Sequence, residues 1–403
     1  MPCKTVLVTG ASGYLGTHLF KAISIKDFNV VGIDIVADLG IPNIQKLDIT
    51  DAYAVDRLVK ETNPDIILHT AGLKSLKQCE LNPEIANEIN TIASLNLFRC
   101  AIENNPDTHI VFLSSDYVFD GLKGSYIESD TPCPKSVYGK TKLEVENYLI
   151  GSHSKHLVVR TSNVFGYGNG GFLSYVLASL DNNVPAEAYG DTYFTPTYIP
   201  YFIETVVKVI ELEKTGIIHI CGNERISRYE FAKLIASFTQ KEHLIQKVAQ
   251  PKGGEILGDS SLLTEQNILF KDIYQPTLRQ AIAFEYELLL PPYMYYADDR
   301  GMIQGISNRS NWKEVNLIHT YVDEVRGGHY HKQTTELLVI CSGKVFVLLE
   351  NLRDTEVFQF EAGSGDTIMI KPWFKHTVKC LENTIWINLL DKPMGKVKKD
   401  IYM

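Results

Sequence analysis

The stretch TVLVTGASGYLG, Thr5 to Gly16, decides how the first part of the chain folds. It runs from an apolar segment typical of a buried strand into a glycine-rich turn, and the spacing of Leu15, Leu19 and Ala22 then predicts a helix. A glycine turn of this kind lets backbone N–H groups approach a pyrophosphate at the positive end of the helix. The stretch therefore predicts a strand–turn–helix unit that binds a dinucleotide.

Further apolar segments of strand length follow, and helical stretches separate them. The first, NVVGID, ends in Asp34, and the others are IILH, HIVFLS and HLVVR, which begin at Ile66, His109 and His156. Alternating strands and helices are typical of a doubly wound parallel α/β sheet of the Rossmann type. A carboxylate at Asp34 can accept hydrogen bonds from a ribose 2′-OH and would repel a 2′-phosphate, so this position favours NADH over NADPH.

Two polar motifs lie beyond the ends of strands, where open α/β sheets place their sites. In SSDYVFDG, Ser114 and Ser115 close a strand, and in YGKTK, Tyr138 and Lys142 share one face of a predicted helix. A nearby ammonium favours a phenolate, so we expect Lys142 to lower the pKa of Tyr138 and make it a proton donor and acceptor near neutrality. The hydroxyl of Ser115 would hold a substrate carbonyl oxygen.

The composition limits the classes of protein to which the chain can belong. With 403 residues it is long enough for two domains, and its hydrophobic content of 45% is ordinary for a globular protein. A formal net charge of -9 argues against nucleic acid as a partner, and no apolar stretch reaches the length of a membrane span. The 7 cysteines include no CxxC pair, which indicates reduced thiols and a cytoplasmic location.

Residues 1–285 resemble the extended short-chain dehydrogenases/reductases, most closely those of the dTDP-4-dehydrorhamnose reductase type. The resemblance is carried by TGASGYLG, LHTAG, SSDYVFDG, SVYGKTKLEVE and RTSNVFG. It implies hydride transfer from nicotinamide to C4 of a nucleotide-linked 4-keto-6-deoxysugar, with Ser115, Tyr138 and Lys142 as catalytic residues. It also implies a substrate contact at Asn163. The cofactor contacts that it implies are Gly10, Gly13, Tyr14, Leu15, Gly16, Asp34, Asp48, Ala71, Tyr138 and Lys142.

A different pattern begins after Glu285. LLLPPYMYYADDRG, Leu288 to Gly301, contains paired prolines that end the preceding helix. Short apolar segments separated by turns that contain Gly and Asp then continue to Met403, and this pattern predicts a small all-β barrel. We therefore expect a nucleotide-binding reductase domain over residues 1–285 and a barrel domain over residues 286–403.

The segment RGGHYHKQTTE, Arg326 to Glu336, gathers side chains that bind metals or move protons. Residues two apart on a strand face the same side, so His329 and His331 can both point into the predicted barrel. With Glu336 and the more distant His376 they form a ligand set suited to Zn²⁺ or another divalent ion. A metal-bound imidazole cannot accept a proton at the same nitrogen, so His329 is either a metal ligand or a general base.

This second part resembles the cupins. The cupin spacing HxHxxxxE, with a glycine seven residues further on, is met by His329, His331, Glu336 and Gly343. His376, in KPWFKH, takes the place of the fourth ligand. VRGGHYHK and DDRG are similar to motifs of the RmlC class of sugar epimerases, and the former also to dTDP-4-keto-6-deoxyglucose 3,4-ketoisomerases. The resemblance implies a catalytic role for His329 and contacts from Arg300 and Arg326 to a phosphate or oxyanion.

A cupin joined to an extended reductase also makes the chain resemble capsule-assembly enzymes of the UDP-N-acetyl-L-fucosamine route. The favoured hypothesis is a cytoplasmic, homodimeric, bifunctional enzyme acting on a UDP- or dTDP-linked 4-keto-6-deoxyhexose. Its cupin would epimerise or isomerise the sugar next to the ketone, and its reductase would then reduce C4. One alternative is a C4 reductase whose cupin is only a metal-stabilised dimerisation platform. Another is a noncatalytic regulatory subunit that binds a dinucleotide.

Overall fold

The computed structural model describes residues 3–36, 41–166, 168, 170–251, 256–298, 300–308, 312–354, 356–393 and 400–403. The chain forms two compact units. The first comprises Met1–Asn169, Tyr189–Arg228 and Ala249–Phe270, and the second comprises Gly170–Ala188, Tyr229–Val248 and Lys271–Met403. None of the helices in the described ranges is both long enough and apolar enough to span a bilayer.

The secondary structure alternates between helix and strand in the first part of the chain and is mainly strand in the last. In chain order the α-helices are α1 (Tyr14–Ser24), α2 (Ala52–Thr62), α3 (Leu76–Leu81), α4 (Pro83–Asn87), α5 (Ala93–Asn104), α6 (Val137–Ser152), α7 (Phe172–Asp181), α8 (Ile199–Glu211), α9 (Arg228–Ser237) and α10 (Leu278–Glu285). The earlier strands are β1 (Lys4–Thr9), β2 (Phe28–Asp34), β3 (Ile44–Lys46), β4 (Ile66–His69), β5 (His109–Leu113), β6 (His156–Arg160), β7 (Val164–Phe165), β8 (Ala186–Tyr189), β9 (Tyr193–Phe194), β10 (Thr197–Tyr198), β11 (Gly216–His219), β12 (Ile226–Ser227) and β13 (Ile245–Val248). The later strands are β14 (Met294–Asp298), β15 (Gly301–Gly305), β16 (Glu314–Thr320), β17 (Val325–His329), β18 (Glu336–Ser342), β19 (Lys344–Asn351), β20 (Val357–Gly363), β21 (Thr367–Ile370), β22 (Phe374–Cys380) and β23 (Thr384–Leu390).

The first unit contains a seven-stranded sheet with the strand order β11-β6-β5-β4-β1-β2-β3. All neighbouring strands in it run parallel. β4 and β5 are buried along their whole length, as strands covered on both faces must be, and this explains why their sequences are nearly continuous apolar runs. The predicted doubly wound parallel sheet is thus confirmed.

The order of the strands reverses between β1 and β4, which is where open α/β sheets place their ligands. The chain leaves β1 through the glycine turn at Gly10 and leaves β4 at Thr70 and Ala71. Because β1 and β4 are parallel neighbours, these two ends lie side by side. The next strands, β5 and β6, carry Ser114 and Thr161 to the same edge of the sheet.

In the second unit the later strands form two four-stranded antiparallel sheets and a two-stranded ribbon of β14 and β15. The strand orders of the two sheets are β16-β23-β18-β21 and β17-β22-β19-β20. β20 buries every second residue, whereas β21 is buried throughout. This part of the chain is all-β, as the sequence predicts. In the described residues the two sheets are separate hydrogen-bonded ladders and do not close into one barrel.

Strand register brings two of the histidines together. β17 pairs with β22 so that His329 lies opposite His376, and an irregularity in this ladder falls between Gly327 and His329. Glu336 begins β18, which belongs to the other sheet. The elements that carry the expected metal ligands are therefore drawn from both sheets.

Candidate functional site

The catalytic residues expected in the first unit come from two elements. Ser115 follows β5 and precedes a 3₁₀ turn, Asp116–Val118, while Tyr138 and Lys142 lie in α6. The Lys142 ammonium donates to the carbonyl oxygen of Leu113 at the end of β5 (3.0 Å). Its nitrogen lies 5.9 Å from the centre of the Tyr138 ring. The structure therefore brings the expected hydroxyl, phenol and ammonium to one place.

A buried carboxylate, Asp116, adjoins these residues, and sequence reasoning alone misses it. It accepts hydrogen bonds from the hydroxyls of Ser115 (2.9 Å), Ser162 (3.0 Å) and Ser260 (2.7 Å). The Ser115 hydroxyl and the charge of Asp116 both influence the Tyr138 phenol, so the phenol, the hydroxyl and the carboxylate adjoin one another. The one feature of the sequence that points to Asp116 is its position next to Ser115 in SSDYVFDG.

Burial dominates the ionisation of these groups. Desolvation, followed by the charge of Asp116, raises the pKa of the Tyr138 phenol, and the neighbouring Ser115 hydroxyl opposes them. The pKa of Tyr138 is therefore raised overall, whereas the sequence predicted that Lys142 would lower it. Burial instead lowers the pKa of the Lys142 ammonium to about 8, against the opposing charge of Glu146. Tyr138 thus keeps its proton at neutral pH and is placed to donate it.

The turn after β1 allows a ligand to come close to the backbone. Gly10 has a φ of 68°, and a Cβ on Gly16 would lie 1.9 Å from the Gly10 carbonyl oxygen. A Cβ on Gly10 would in turn lie 2.8 Å from the backbone nitrogen of Ala71. α1 begins immediately after this turn, so its first N–H groups are unpaired within the helix. Six of the residues expected to contact the cofactor lie at this turn or beside it: Gly10, Gly13, Tyr14, Leu15, Gly16 and Ala71.

Asp34 ends β2 next to the same turn. Its carboxylate accepts hydrogen bonds from the backbone N–H groups of Ser12 and Val36, both at 3.0 Å. These bonds fix the carboxylate against the glycine turn, where a ribose hydroxyl is bound in dinucleotide sites. The position fits the role expected of Asp34.

Two other residues expected to contact ligands lie beyond strand ends of the same sheet. Asp48 follows β3, and its carboxylate accepts hydrogen bonds from the N–H (2.9 Å) and the hydroxyl (2.8 Å) of Thr50. Asn163 follows β6, and its carbonyl oxygen accepts from the N–H of Thr197 (3.0 Å). Both residues therefore lie on loops at strand ends, the part of the sheet that a dinucleotide and its substrate would face.

In the second unit four side chains converge: His329, His331, Glu336 and His376. One ligand atom from each lies within 4.8 Å of the others. Glu336 Oε2 lies 3.3 Å from His331 Nε2 and 3.4 Å from His376 Nε2. Because Glu336 belongs to one sheet while His329 and His376 belong to the other, the cluster spans both sheets.

The carboxylate of Glu336 is buried and partly unsatisfied. Its Oε1 accepts from Asn388 Nδ2, whereas Oε2 has no hydrogen-bond partner within the described part of the chain. Burial would raise the pKa of this carboxyl, but the surrounding histidines hold it below its ordinary value. Burial also lowers the pKa of His376 to about 4. A buried anion that faces a neutral imidazole is an arrangement that a bound cation would complete.

The glycine pair that precedes these histidines has a structural reason. Gly327 and Gly328 have φ values of 88° and 75°, in the left-handed region. A Cβ on Gly327 would lie 2.4 Å from the carbonyl oxygen of His376, whereas nothing lies within 4 Å of one on Gly328. A neighbouring backbone atom therefore requires glycine at position 327 but not at position 328. That neighbour, His376, belongs to the cluster.

We expect Gly327→Ala to destabilise the second unit more than Gly328→Ala. Both substitutions cost roughly 1–2 kcal/mol for left-handed backbone, and Gly327→Ala adds a clash with backbone worth roughly 1–3 kcal/mol. All 3 tryptophans of the chain (Trp312, Trp373 and Trp386) lie in the second unit, so urea unfolding followed by tryptophan fluorescence reports on it. Equal midpoints for the two variants would contradict this account.

The arginines expected to contact substrate make local contacts in the second unit. Arg300 is exposed and pairs with Asp298 in the turn between β14 and β15. Arg326 is exposed and donates to the Thr320 hydroxyl (3.3 Å) and the His319 carbonyl (3.5 Å). Arg300 lies in the turn before β15, and Arg326 lies on an exposed position of β17.

Two family models match the chain. The model described as RmlD substrate binding domain matches residues 4–258. The model described as polysaccharide biosynthesis C-terminal domain matches residues 296–392. The first match covers the parallel sheet and its site, and the second covers most of the later strands and all four clustered side chains.

Known relatives and solved structures match more than half of the chain. A dTDP-4-dehydrorhamnose reductase of Aggregatibacter actinomycetemcomitans is 34% identical over 254 residues, which cover 61% of this chain and 81% of the relative. The methionine adenosyltransferase 2 subunit beta of Xenopus tropicalis is 30% identical over 245 residues, covering 59% and 72%. The crystal structure of dTDP-4-dehydrorhamnose reductase from Bacillus anthracis in complex with NADP superposes with a TM-score of 0.63 at 25% identity, covering 70% of this chain and 99% of that one.

Proposed function

The chain belongs to the RmlD substrate binding domain family, and from this premise we propose that its first part reduces the C4 ketone of a nucleotide-linked 4-keto-6-deoxysugar with NAD(P)H. The observation that carries the proposal is the meeting of Ser115, Tyr138 and Lys142 on the edge of the sheet that also holds the glycine turn. The relative named dTDP-4-dehydrorhamnose reductase supports this class of substrate. Asp34 supports NADH as the preferred form, although the solved neighbour holds NADP.

Each residue of the first site has a distinct task in this reaction. NAD(P)H, when bound, supplies the hydride. Tyr138 keeps its proton at neutral pH and donates it to the ketone oxygen as that oxygen becomes a hydroxyl, while Ser115 would turn its hydroxyl from Asp116 to the same oxygen. Lys142 stabilises the phenolate left behind. Its nitrogen would lie 3.9 Å from a Cβ on Gly72, so it also adjoins the end of β4 where the dinucleotide would pass.

We expect kcat/KM of the reductase to fall as the pH rises through about 8. The pKa of Lys142 is lowered to about 8 by burial, so the ammonium is charged below this pH and loses its charge above it. The pKa of Tyr138 is raised, so the tyrosine does not titrate first. A pH profile with saturating cofactor measures the effect, and Lys140→Ala, an exposed lysine on the same helix, is the control. A flat profile from pH 7 to 9 would contradict it.

We propose that the second part is a metal-binding cupin. Two observations fit a divalent ion: the unsatisfied Oε2 of buried Glu336, and its distances of 3.3 and 3.4 Å to the Nε2 atoms of His331 and His376. In a tetrahedral site with bonds of about 2.0–2.1 Å, neighbouring ligand atoms are separated by about 3.3 Å. His329, His331, Glu336 and His376 would hold the ion, which would supply Lewis-acid polarisation of a substrate oxygen.

The chemistry of a 4-keto sugar connects the two parts. A ketone at C4 acidifies the hydrogens on C3 and C5, so a base in the second site can remove one and allow the centre to invert or the carbonyl to migrate. His329 is the least buried of the four clustered residues, so it would be that base if the other three hold the ion without it. Reduction at C4 then removes the acidity and fixes the product. The proposed enzyme thus couples a reversible step to a committing one in the synthesis of a surface-polysaccharide precursor.

This proposal is tested by incubating the full chain in D₂O with UDP- and dTDP-linked 4-keto-6-deoxyhexoses, first without and then with NADH or NADPH. Mass spectrometry follows deuterium on the ring carbons, and absorbance at the nicotinamide band follows the cofactor. Deuterium uptake before cofactor is added, followed by cofactor oxidation, supports both activities. Cofactor oxidation without prior deuterium uptake would support the alternative, a C4 reductase whose second part is only a metal-stabilised platform.

A second candidate, a noncatalytic dinucleotide-binding subunit, is favoured by one observation. The chain is 30% identical to a protein named as a subunit of methionine adenosyltransferase. The presence of Ser115, Tyr138 and Lys142 in one place supports catalysis instead. Tight binding of NAD(P)H without oxidation across the panel of keto-sugars would favour the subunit role. The division into domains at residues 285 and 286 and the homodimer remain predictions that belong to the main proposal.

A further inference from the structure

A short segment, Asp400–Met403, lies against the loop that carries His331. The Asp400 carboxylate accepts hydrogen bonds from three successive backbone N–H groups, those of Lys332 (3.0 Å), Gln333 (2.9 Å) and Thr334 (2.9 Å). It also accepts from the Thr334 hydroxyl (2.8 Å). Four hydrogen bonds to one charged group hold the backbone of residues 332–334 in place.

The same residue determines which nitrogen of His331 carries a proton. The backbone carbonyl oxygen of Asp400 is hydrogen-bonded to His331 Nδ1. A carbonyl oxygen can only accept, so Nδ1 must carry the hydrogen. In the neutral ring the lone pair then lies on Nε2, the atom 3.3 Å from Glu336 Oε2. The ring is therefore oriented with its free nitrogen toward the cluster.

Tyr402 adds a second attachment two residues further on. Its backbone exchanges hydrogen bonds with Tyr330 in both directions, at 2.9 and 3.0 Å. The two rings are 5.3 Å apart, and the Lys332 ammonium lies 3.9 Å from the centre of the Tyr402 ring. The segment is therefore held by residues on both sides of His331, and its position and that of the imidazole depend on each other.

We propose that the segment Asp400–Met403 is a positioning element for the cluster: it holds His331 as the Nδ1–H tautomer and so presents Nε2 to a divalent ion. The inference rests on the proposed metal-binding function of the cluster. A metal-ligating histidine normally donates its other ring N–H to an oxygen, and loss of that oxygen weakens metal binding by about 10–100-fold. His376 gives a contrast, because its Nδ1 has no partner among the described residues.

The test compares the full chain with a variant lacking residues 400–403 and with Asp400→Asn. Zn²⁺ affinity is measured by competition with a chelator, and the tautomer of His331 by ¹⁵N chemical shifts of the imidazole in metal-free protein. We expect the deletion to raise the Kd for Zn²⁺ by about 10–100-fold and to remove the Nδ1–H signal. Asp400→Asn keeps the carbonyl oxygen but loses the carboxylate charge, so we expect a smaller loss. Met403→Ala alters a side chain that is 95% exposed and is the matched control.

The outcomes separate the inference from the function on which it rests. Unchanged Kd and unchanged imidazole shifts in both variants would overturn the positioning role while leaving metal binding intact. A wild-type chain that binds no Zn²⁺, but whose His331 tautomer changes on deletion, would overturn the metal site and support the positioning. Tryptophan fluorescence would reveal whether the deletion variant folds. If it does not, the Kd for Zn²⁺ and the imidazole ¹⁵N shifts of Asp400→Asn test the positioning role.

Discussion

Replacing Tyr138 with phenylalanine is expected to lower kcat of the reductase by about 10²–10⁴-fold, the range that a positioned proton donor contributes. The phenol keeps its proton at neutral pH because burial and the charge of Asp116 raise its pKa. Removal of the hydroxyl leaves the oxygen at C4 without that proton when hydride arrives. The phenyl ring itself stays, so the packing of the site and the affinity for NAD(P)H are expected to change little.

The measurement is steady-state oxidation of NADH or NADPH with a nucleotide-linked 4-keto-6-deoxyhexose, together with fluorescence titration of the cofactor. Tyr148→Phe makes the same change on the same helix, ten residues away from the site, and is expected to leave kcat within a factor of two of wild type. A Tyr138→Phe variant with near wild-type kcat would require another proton donor, and the buried Asp116 chain would be the first place to look. Loss of cofactor binding instead would show that the phenol holds the dinucleotide.

Replacing Glu336 with glutamine is expected to weaken metal binding by more than the about 10–100-fold typical of losing a supporting partner, because it removes the anionic ligand itself. The amide has nearly the same shape as the carboxylate, so Asn388 and the surrounding core remain in place. Without the carboxylate, the two facing imidazoles have no anion between them. We therefore expect loss of both bound metal and deuterium uptake at the sugar ring, with C4 reduction unchanged on a substrate that needs no epimerisation.

Metal content after dialysis and deuterium uptake by mass spectrometry measure this effect. Glu361→Gln is the matched control, because Glu361 is a partly exposed strand carboxylate that pairs with Lys344. Retained metal and retained uptake in Glu336→Gln would contradict the proposed ligand set. Retained metal with loss of deuterium uptake would indicate that Glu336 carries a proton in the reaction and is not a metal ligand.

The features that the sequence predicted well depend on local periodicity. The run from Thr5 to Gly16 predicted strand, turn and helix, and the structure has β1, the glycine turn and α1 in that order. The alternation of apolar segments predicted the parallel sheet because each buried strand must be followed by a helix that covers it. The later short segments predicted an all-β part, but periodicity gives no information on which edges pair, and the expected closed barrel does not appear in the described residues.

Features that arise from distant parts of the chain could not be predicted in this way. Asp116 accepts hydrogen bonds from Ser162 and Ser260, which lie 46 and 144 residues away in the chain. His331 is hydrogen-bonded to Asp400, 69 residues away. The predicted direction of the pKa shift at Tyr138 was wrong for the same reason. Spacing on a helix shows that Lys142 is near, but the depth of burial that outweighs its charge is a property of the whole packed unit.

The placement of the clustered ligands on two sheets has a consequence for the lifetime of the protein. Glu336 enters from the sheet of β18, while His329 and His376 enter from the sheet of β17 and β22. An ion held between them would tie the sheets together and stabilise the folded form increasingly, though only logarithmically, as its free concentration rises above the Kd. If the cluster holds an ion, a cell starved of that metal would expose the later strands to proteases more often, so the supply of metal would set how long the folded chain persists.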